Sequence, residues 1–166
     1  MTKMDNIFAP LAFSDRPRDS LRRGYVDLEV WGRQSTASTG NVVDEHGVSA
    51  LMMAAFMGSN DACEVLLKKG AEVNHAERHS KRTALMMAAQ GGHLDVVKTL
   101  LTSKADTTQV DIEMQTALHW AAVGGRTEVA RLLAALGQKD AKNEQGETPA
   151  MVAEKMKHRD TAASLM

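Results

Sequence analysis

From Thr83 to Asp106 the apolar positions recur at helical spacing, stop, and then recur again. Thr83 stands where a helix N-cap is wanted, because its hydroxyl can accept a hydrogen bond from a free first-turn amide. Leu85, Ala88 and Ala89 share one stripe, and Gly91-Gly92 interrupts it. Val96, Val97, Leu100 and Leu101 form a second stripe. The pattern predicts two short antiparallel helices joined by a tight turn, with Leu85 and Leu100 fully buried. Neither helix can bury its apolar face alone, so the pair requires neighbours.

The neighbours are in the sequence. Upstream, Ser49-Ala50-Leu51-Met52-Met53-Ala54-Ala55-Phe56-Met57-Gly58 repeats the first helix, and Glu64 to Asn74 closes that unit. Downstream, Thr116 to Gly125 repeats it again, and Thr148-Pro149-Ala150-Met151-Val152-Ala153 once more. The cap positions Ser49, Thr83, Thr116 and Thr148 thus set a period of roughly 33 residues. This period resembles that of the ankyrin-repeat family, whose pattern is Thr-Pro-Leu-His, an Ala-Ala pair, a Gly-His turn, a Leu-Leu pair and a Gly-Ala-Asp-Val-Asn tail. The resemblance covers residues 41–166, with a faint echo over 15–40. It implies an all-α solenoid of about five helix-turn-helix repeats joined by hairpin loops, with degraded first and last repeats. The expected repeats are 15–40, 41–74, 75–108, 109–140 and 141–166, preceded by a lead of residues 1–14 that either covers the first repeat or is flexible. Departures from the pattern fall on the turns. The link from Asn74 to Thr83 is one residue longer than that from Thr108 to Thr116 and lacks the turn glycine. Met114 stands in the glycine place of the next hairpin, and Lys157 stands where other repeats carry Gly58, Gly92 and Gly125.

Composition narrows the function. Aromatics make up only 4% of the 166 residues, which suits an elongated stack filled with Ala, Leu, Val and Met. A formal net charge of −1 gives no general attraction to nucleic acid, and no basic stripe with stacking aromatics is present. Cys63 stands alone, no apolar run reaches transmembrane length, and residues 1–14 lack the shape of a signal peptide. A cytoplasmic or nuclear location is the expectation.

Candidate chemistry is thin. His75, Glu77 and His79 lie close in sequence but on an inter-repeat hairpin, without the one-face helical spacing of a zinc protease, and read as surface residues. Cys63 occupies the place of Val97 on the buried face of its helix and reads as an inert thiol. Asp44-Glu45 and Asp111/Glu113 sit on hairpins as turn formers and solvated charges. Gly91-Gly92 and Gly124-Gly125 join helices rather than following a strand, so neither is a phosphate loop. No catalytic residue, metal site or cofactor is expected. His119 alone keeps the family's Thr-x-Leu-His histidine, which the resemblance casts as a tie between adjacent repeats; Met52, Met86 and Met151 replace it elsewhere. Trp120 shares the next position with Met53, Met87 and Val152 and is expected to fill the core.

What remains is a surface for a partner. The resemblance implies that hairpin tips and the outer ends of the first helices line a concave groove. Carried onto this chain, the candidate partner-binding residues are Phe56, Met57, Arg78, His79, Lys81, Arg82, Gln90, Ile112, Glu113 and Val123. Phe56 and Met57 in tandem are what a surface avoids unless it meets a partner; the alternative is that they pack under the Val43–Val48 hairpin. Beside them Arg78, Lys81 and Arg82 make a basic tip. The expected function is a non-enzymatic protein-interaction module. Its ligand would be another protein or peptide offering an apolar anchor flanked by acidic or phosphorylated residues. The alternative is a regulatory ankyrin domain of a larger enzyme or membrane protein. Leu66 to Asn74 also resembles the sites that the hypoxia-pathway asparaginyl hydroxylase accepts, which would make Asn74 a modification site against the plainer role of a turn residue.

Overall fold

The computed structural model describes residues 43–166. The expected lead over 1–14 and the first repeat over 15–40 lie outside the described residues. Among the described residues eight helices follow in order: α1 Ala50–Met57, α2 Asn60–Lys68, α3 Ala84–Gly91, α4 Leu94–Thr102, α5 Ala117–Val123, α6 Thr127–Ala135, α7 Pro149–Lys155 and α8 Arg159–Leu165. They form four antiparallel pairs. First helices pack on first helices, α1 on α3 on α5 on α7, while α2, α4, α6 and α8 stack behind them. The architecture is the all-α repeat solenoid that the period predicts.

The local chemistry explains each pair. Ser49, Thr83, Thr116 and Thr148 cap the first helices, each hydroxyl accepting from the amide three residues on. Pro149 occupies the first turn of α7, where its missing N–H costs nothing. The second helices begin without a side-chain cap, but Asp61, Asp95, Glu128 and Asp160 place a carboxylate in each first turn, against the positive end of the helix dipole. Between helices the chain turns through left-handed backbone at Gly58, Gly92, Gly125 and, in the last pair, Lys157. The lysine therefore takes the conformation that its alignment with the glycines implies.

One core runs the length of the stack. Leu85 and Leu100 are 1% and 0% exposed, as the two stripes require. Of the first helices, α1, α3 and α5 are buried on nearly every side while α7 exposes Met151, Glu154 and Lys155; the second helices are buried on one stripe only, which is why they look amphipathic.

Polar ties cross the seams between repeats. Thr116 donates its amide to Nδ1 of His119 (3.2 Å), which leaves the ring proton on Nε2 to donate to the Glu147 carbonyl at 3.1 Å in the next repeat. The tie expected of His119 is present. At two of the three positions where methionine replaces this histidine, its sulfur takes over only the local half. Met52 Sδ accepts from the Ser49 amide at 3.4 Å, and Met151 Sδ from the Thr148 amide at 3.5 Å. A second set of ties joins the turns: His93 Nε2 to the Phe56 carbonyl (3.1 Å), Arg126 Nε to the Gln90 carbonyl (3.0 Å) and His158 Nε2 to the Val123 carbonyl (3.1 Å).

Candidate protein-binding surface

Each pair of helices is preceded by a hairpin, here numbered 1 (44–49), 2 (77–83), 3 (111–116) and 4 (143–148). In hairpins 1, 3 and 4 an Asp or Asn side chain holds the bend. Asp44 accepts from the amides of His46 (3.0 Å) and Val48 (2.8 Å), Asp111 from Glu113 and Gln115 (2.9 Å each), and Asn143 from Gln145 (3.1 Å) and Glu147 (2.8 Å). Hairpin 2 is one residue longer, and a longer acid does the same work. Glu77 accepts from the amides of His79 (2.9 Å) and Ser80 and from the Ser80 hydroxyl. Burial pushes the Glu77 carboxyl up, but these hydrogen bonds and the neighbouring His79 outweigh it and hold the group below its usual range.

The hairpins are hydrogen-bonded to one another at their tips. Arg78 donates its amide to the His46 carbonyl (3.2 Å), Ile112 to Ser80 (3.0 Å) and Glu144 to Glu113 (2.9 Å). The tips thus form a ladder of fixed register, which presets the spacing of whatever side chains they carry.

The sequence-predicted residues distribute unevenly along this surface. Arg78, His79 and Lys81 are exposed on hairpin 2, and the rings of His46 and His79 lie 5.7 Å apart. Ile112, on hairpin 3, is 61% exposed. Glu113 is half-buried, and its carboxylate accepts from Gln115 Nε2 at 3.1 Å. Gln90 and Val123 are half-buried at the ends of α3 and α5.

Two expectations are corrected. Phe56 and Met57 do not stand out from the surface; both are half-buried and packed against the core. His93 of the next repeat holds the Phe56 carbonyl, and both side chains lie partly against the core, which removes part of their area from water. Arg82 does not belong to the exposed basic tip; it is 3% exposed. Its guanidinium lies over the Trp120 ring, 4.0 Å from the centroid, and Nη2 donates to Gln90 Oε1 at 2.6 Å. Burial pushes its pKa down to about 10, partly offset by Asp111 and Glu77, so the group stays charged at neutral pH. The Trp120 indole donates to Asp111 Oδ2 at 2.9 Å. Trp120 fills the core as expected, but it also braces hairpins 2 and 3 through this buried network. The only signal in the sequence was a tryptophan where other repeats carry Met or Val.

One exposed residue was read in the sequence only as a turn position. Met114 is 53% exposed at the bend of hairpin 3, close in sequence to Ile112. Its place as a substitute for glycine was legible, but its exposure was not. Elsewhere the chemistry is quiet. Cys63 is 0% exposed, and burial pushes its thiol up to about 12, so no thiolate is offered. Among the described residues no group of three or more His, Cys, Asp or Glu could hold a metal ion, and no helix is long and apolar enough to cross a membrane. Asn74 accepts the Asp106 amide at 2.8 Å and donates to the Lys104 carbonyl at 3.4 Å, tying the tails of two successive repeats.

Stacked helix pairs presenting a ladder of hairpin tips define a class of repeat solenoid. The chain belongs to the ankyrin-repeat family: the family model described as ankyrin repeats (3 copies) matches residues 34–111 and 85–166. Ankyrin repeats are a non-catalytic fold that generally serves protein–protein interaction. Among curated relatives, the chain is 42% identical over 88 residues to the E3 ubiquitin-protein ligase XBAT33 of Arabidopsis thaliana, covering 52% of this chain and 17% of that protein. It is 44% identical over 78 residues to Inversin of Canis lupus familiaris and 43% over 76 residues to human Inversin, covering 47% and 46% of this chain and 7% of each relative. The chain therefore spans less than a fifth of the length of these relatives.

Proposed function

We propose that this chain binds a partner protein through the tips of hairpins 2 and 3, in the cytoplasm or nucleus, without catalysis. One observation carries the reading: Ile112, 61% exposed, is hydrogen-bonded through its amide to hairpin 2, whose exposed side chains Arg78 and Lys81 are cationic. An apolar side chain held in a fixed register beside two positive charges suits a ligand with an apolar anchor flanked by acidic or phosphorylated residues. The anchor contact supplies affinity through desolvation, and the charges supply association rate and salt dependence.

The test is a titration of the partner, captured from the native cell type, against three proteins: wild type, Ile112→Ser, and the double variant Arg78→Ser/Lys81→Ser. Ile112→Ser is expected to weaken binding at every salt concentration, and the double variant mainly at low salt. Full-strength binding to both variants sinks the proposal.

A second reading has its own support. The relatives are several times longer than the matched segment, so the repeats would also serve as the recognition arm of a larger protein, as an enzyme or other multidomain chain would use them. The length of the native transcript and the mass of the native protein separate the two.

A further inference from the structure

The chain has six histidines, and all of them lie among the described residues. Four set the ring against the main chain of a neighbouring repeat. Nε2 meets the Gly47 carbonyl in His75 (2.8 Å), the Phe56 carbonyl in His93, the Glu147 carbonyl in His119 and the Val123 carbonyl in His158 (3.1 Å each). The other two meet each other. His46 on hairpin 1 and His79 on hairpin 2 have ring centroids 5.7 Å apart and planes inclined by 55°. The backbone fixes this approach, because the Arg78 amide donates to the His46 carbonyl at 3.2 Å. The sequence groups His79 with His75 and Glu77, but the fold parts them: His75 turns to Gly47, and Glu77 is buried holding its own bend.

The spacing of the pair suits a shared ion. An imidazole nitrogen binds zinc at about 2.0–2.1 Å, which puts the metal about 3.2 Å from the ring centre. Two rings on one metal then have centres about 5.2 Å apart at a tetrahedral angle and about 6.4 Å apart when opposed. The observed 5.7 Å lies between these limits. Glu45 Oε1 lies 3.5 Å from His46 Nε2, a carboxylate–imidazole pairing that makes a metal-bound ring more basic. Solvent reaches both rings, since the His46 side chain is 38% exposed and His79 is exposed. The donors also select the ion. Imidazole favours Zn2+, Ni2+ and Cu2+ over Mg2+ and Ca2+, which take oxygen ligands. Arg78 and Lys81, exposed on hairpin 2, oppose a cation by charge, so affinity must come from coordination.

We infer that His46 and His79 form a two-histidine site for a divalent transition-metal ion, which clips hairpin 1 to hairpin 2. Two protein ligands leave the remaining positions to water, so the ion is exchangeable rather than structural. The site stands apart from the partner-binding reading, which rests on Ile112, Arg78 and Lys81. Only the folded chain holds the two rings together, so occupancy stabilises the fold.

The test is a calorimetric titration of the untagged chain with Zn2+, and with Mg2+ as the hard-ion control. Zn2+ is expected to bind once per chain in the micromolar range and to raise the melting temperature by a few degrees, and Mg2+ to do neither. His46→Gln and His79→Gln should each weaken Zn2+ about tenfold or more, because the second donor of the chelate is lost. His158→Gln, in the last pair of helices, should leave Zn2+ affinity unchanged. Electron spin-echo modulation of bound Cu2+ counts the ring ligands in the wild-type chain without any substitution, and two imidazoles are expected. The inference is overturned if Zn2+ does not bind, if Mg2+ binds as tightly, or if His46→Gln or His79→Gln binds Zn2+ at full strength. A Cu2+ spectrum with fewer than two imidazoles overturns it as well. In each of those cases the two rings are a packing contact and no more.

Discussion

The buried Arg82–Trp120–Asp111 network makes a quantitative prediction that ordinary core packing does not. In Trp120→Leu two specific contacts disappear with the ring. A cation–π contact between desolvated groups is worth about 2 kcal/mol, and Arg82 sits 4.0 Å from the ring centroid. The indole N–H also leaves Asp111 Oδ2, and a buried acceptor losing its donor costs about 1–3 kcal/mol. With part of the ring volume refilled by leucine, the total is about 3–5 kcal/mol. Trp120→Phe keeps a ring face but loses the N–H and part of the buried ring volume, so it should cost about 2–4 kcal/mol. Arg82→Met behaves differently. It removes a buried cation whose desolvation opposes folding, and Asp111 keeps its donors from Glu113, Gln115 and Trp120. It also takes the nearby cation from buried Asp111 and Glu77 and the donor from Gln90 Oε1, so its cost should be about 2–4 kcal/mol. Urea unfolding followed by far-ultraviolet circular dichroism gives all of these, together with the double variant Arg82→Met/Trp120→Leu. The cycle should show a coupling of about 1–2 kcal/mol. Additivity within about 0.3 kcal/mol would mean that the guanidinium and the ring do not interact energetically, and the network would be reduced to proximity.

Three further outcomes follow from the structure. Phe56→Ala should lower the unfolding midpoint, with a loss of about 1–3 kcal/mol, because the ring packs partly against the core and is not held out to a partner; an unchanged midpoint would restore it to the surface. Burial lowers the His119 pKa from 6.5 against weaker raising contributions from Glu147, Asp111 and Ala141, so the folded state binds its proton less readily than the unfolded chain. Stability should accordingly fall as pH drops below about 6.5, and His119→Met, which copies the neighbouring repeats, should flatten that slope in unfolding curves taken at successive pH values. Cys63 should resist alkylation by iodoacetamide in the native state and react only as the chain unfolds; rapid labelling in buffer would contradict its burial.

How much of this was legible in the sequence depends on the kind of interaction. The stack was readable because each repeat solves the same problem with the same residues: Thr83, Thr116 and Thr148 cap, Leu85 and Leu118 bury, and Gly92 and Gly125 turn. His119 was readable for the same reason. The surface was harder, because exposure is decided between repeats. Phe56 looks exposed from helical phase alone, yet the fold leaves it half-buried against the core. Arg82 adjoins the exposed Lys81 in sequence, but it lies one step before a helix cap and turns inward to a tryptophan of the following repeat. That pairing has no period to announce it. Met114 was visible as a break in the glycine pattern, yet its exposure is set by the fold.

The central claim, that recognition occurs at the tips of hairpins 2 and 3, is tested most directly by site-specific photocrosslinking to the captured partner. A photoreactive side chain is placed at Ile112 on hairpin 3 and, in separate proteins, at Lys98 on α4 and Arg131 on α6, which are exposed on the second helices. The account predicts that the partner is attached through position 112 and not through 98 or 131. Attachment through 98 or 131 with none at 112 would put recognition on the helical face and contradict it.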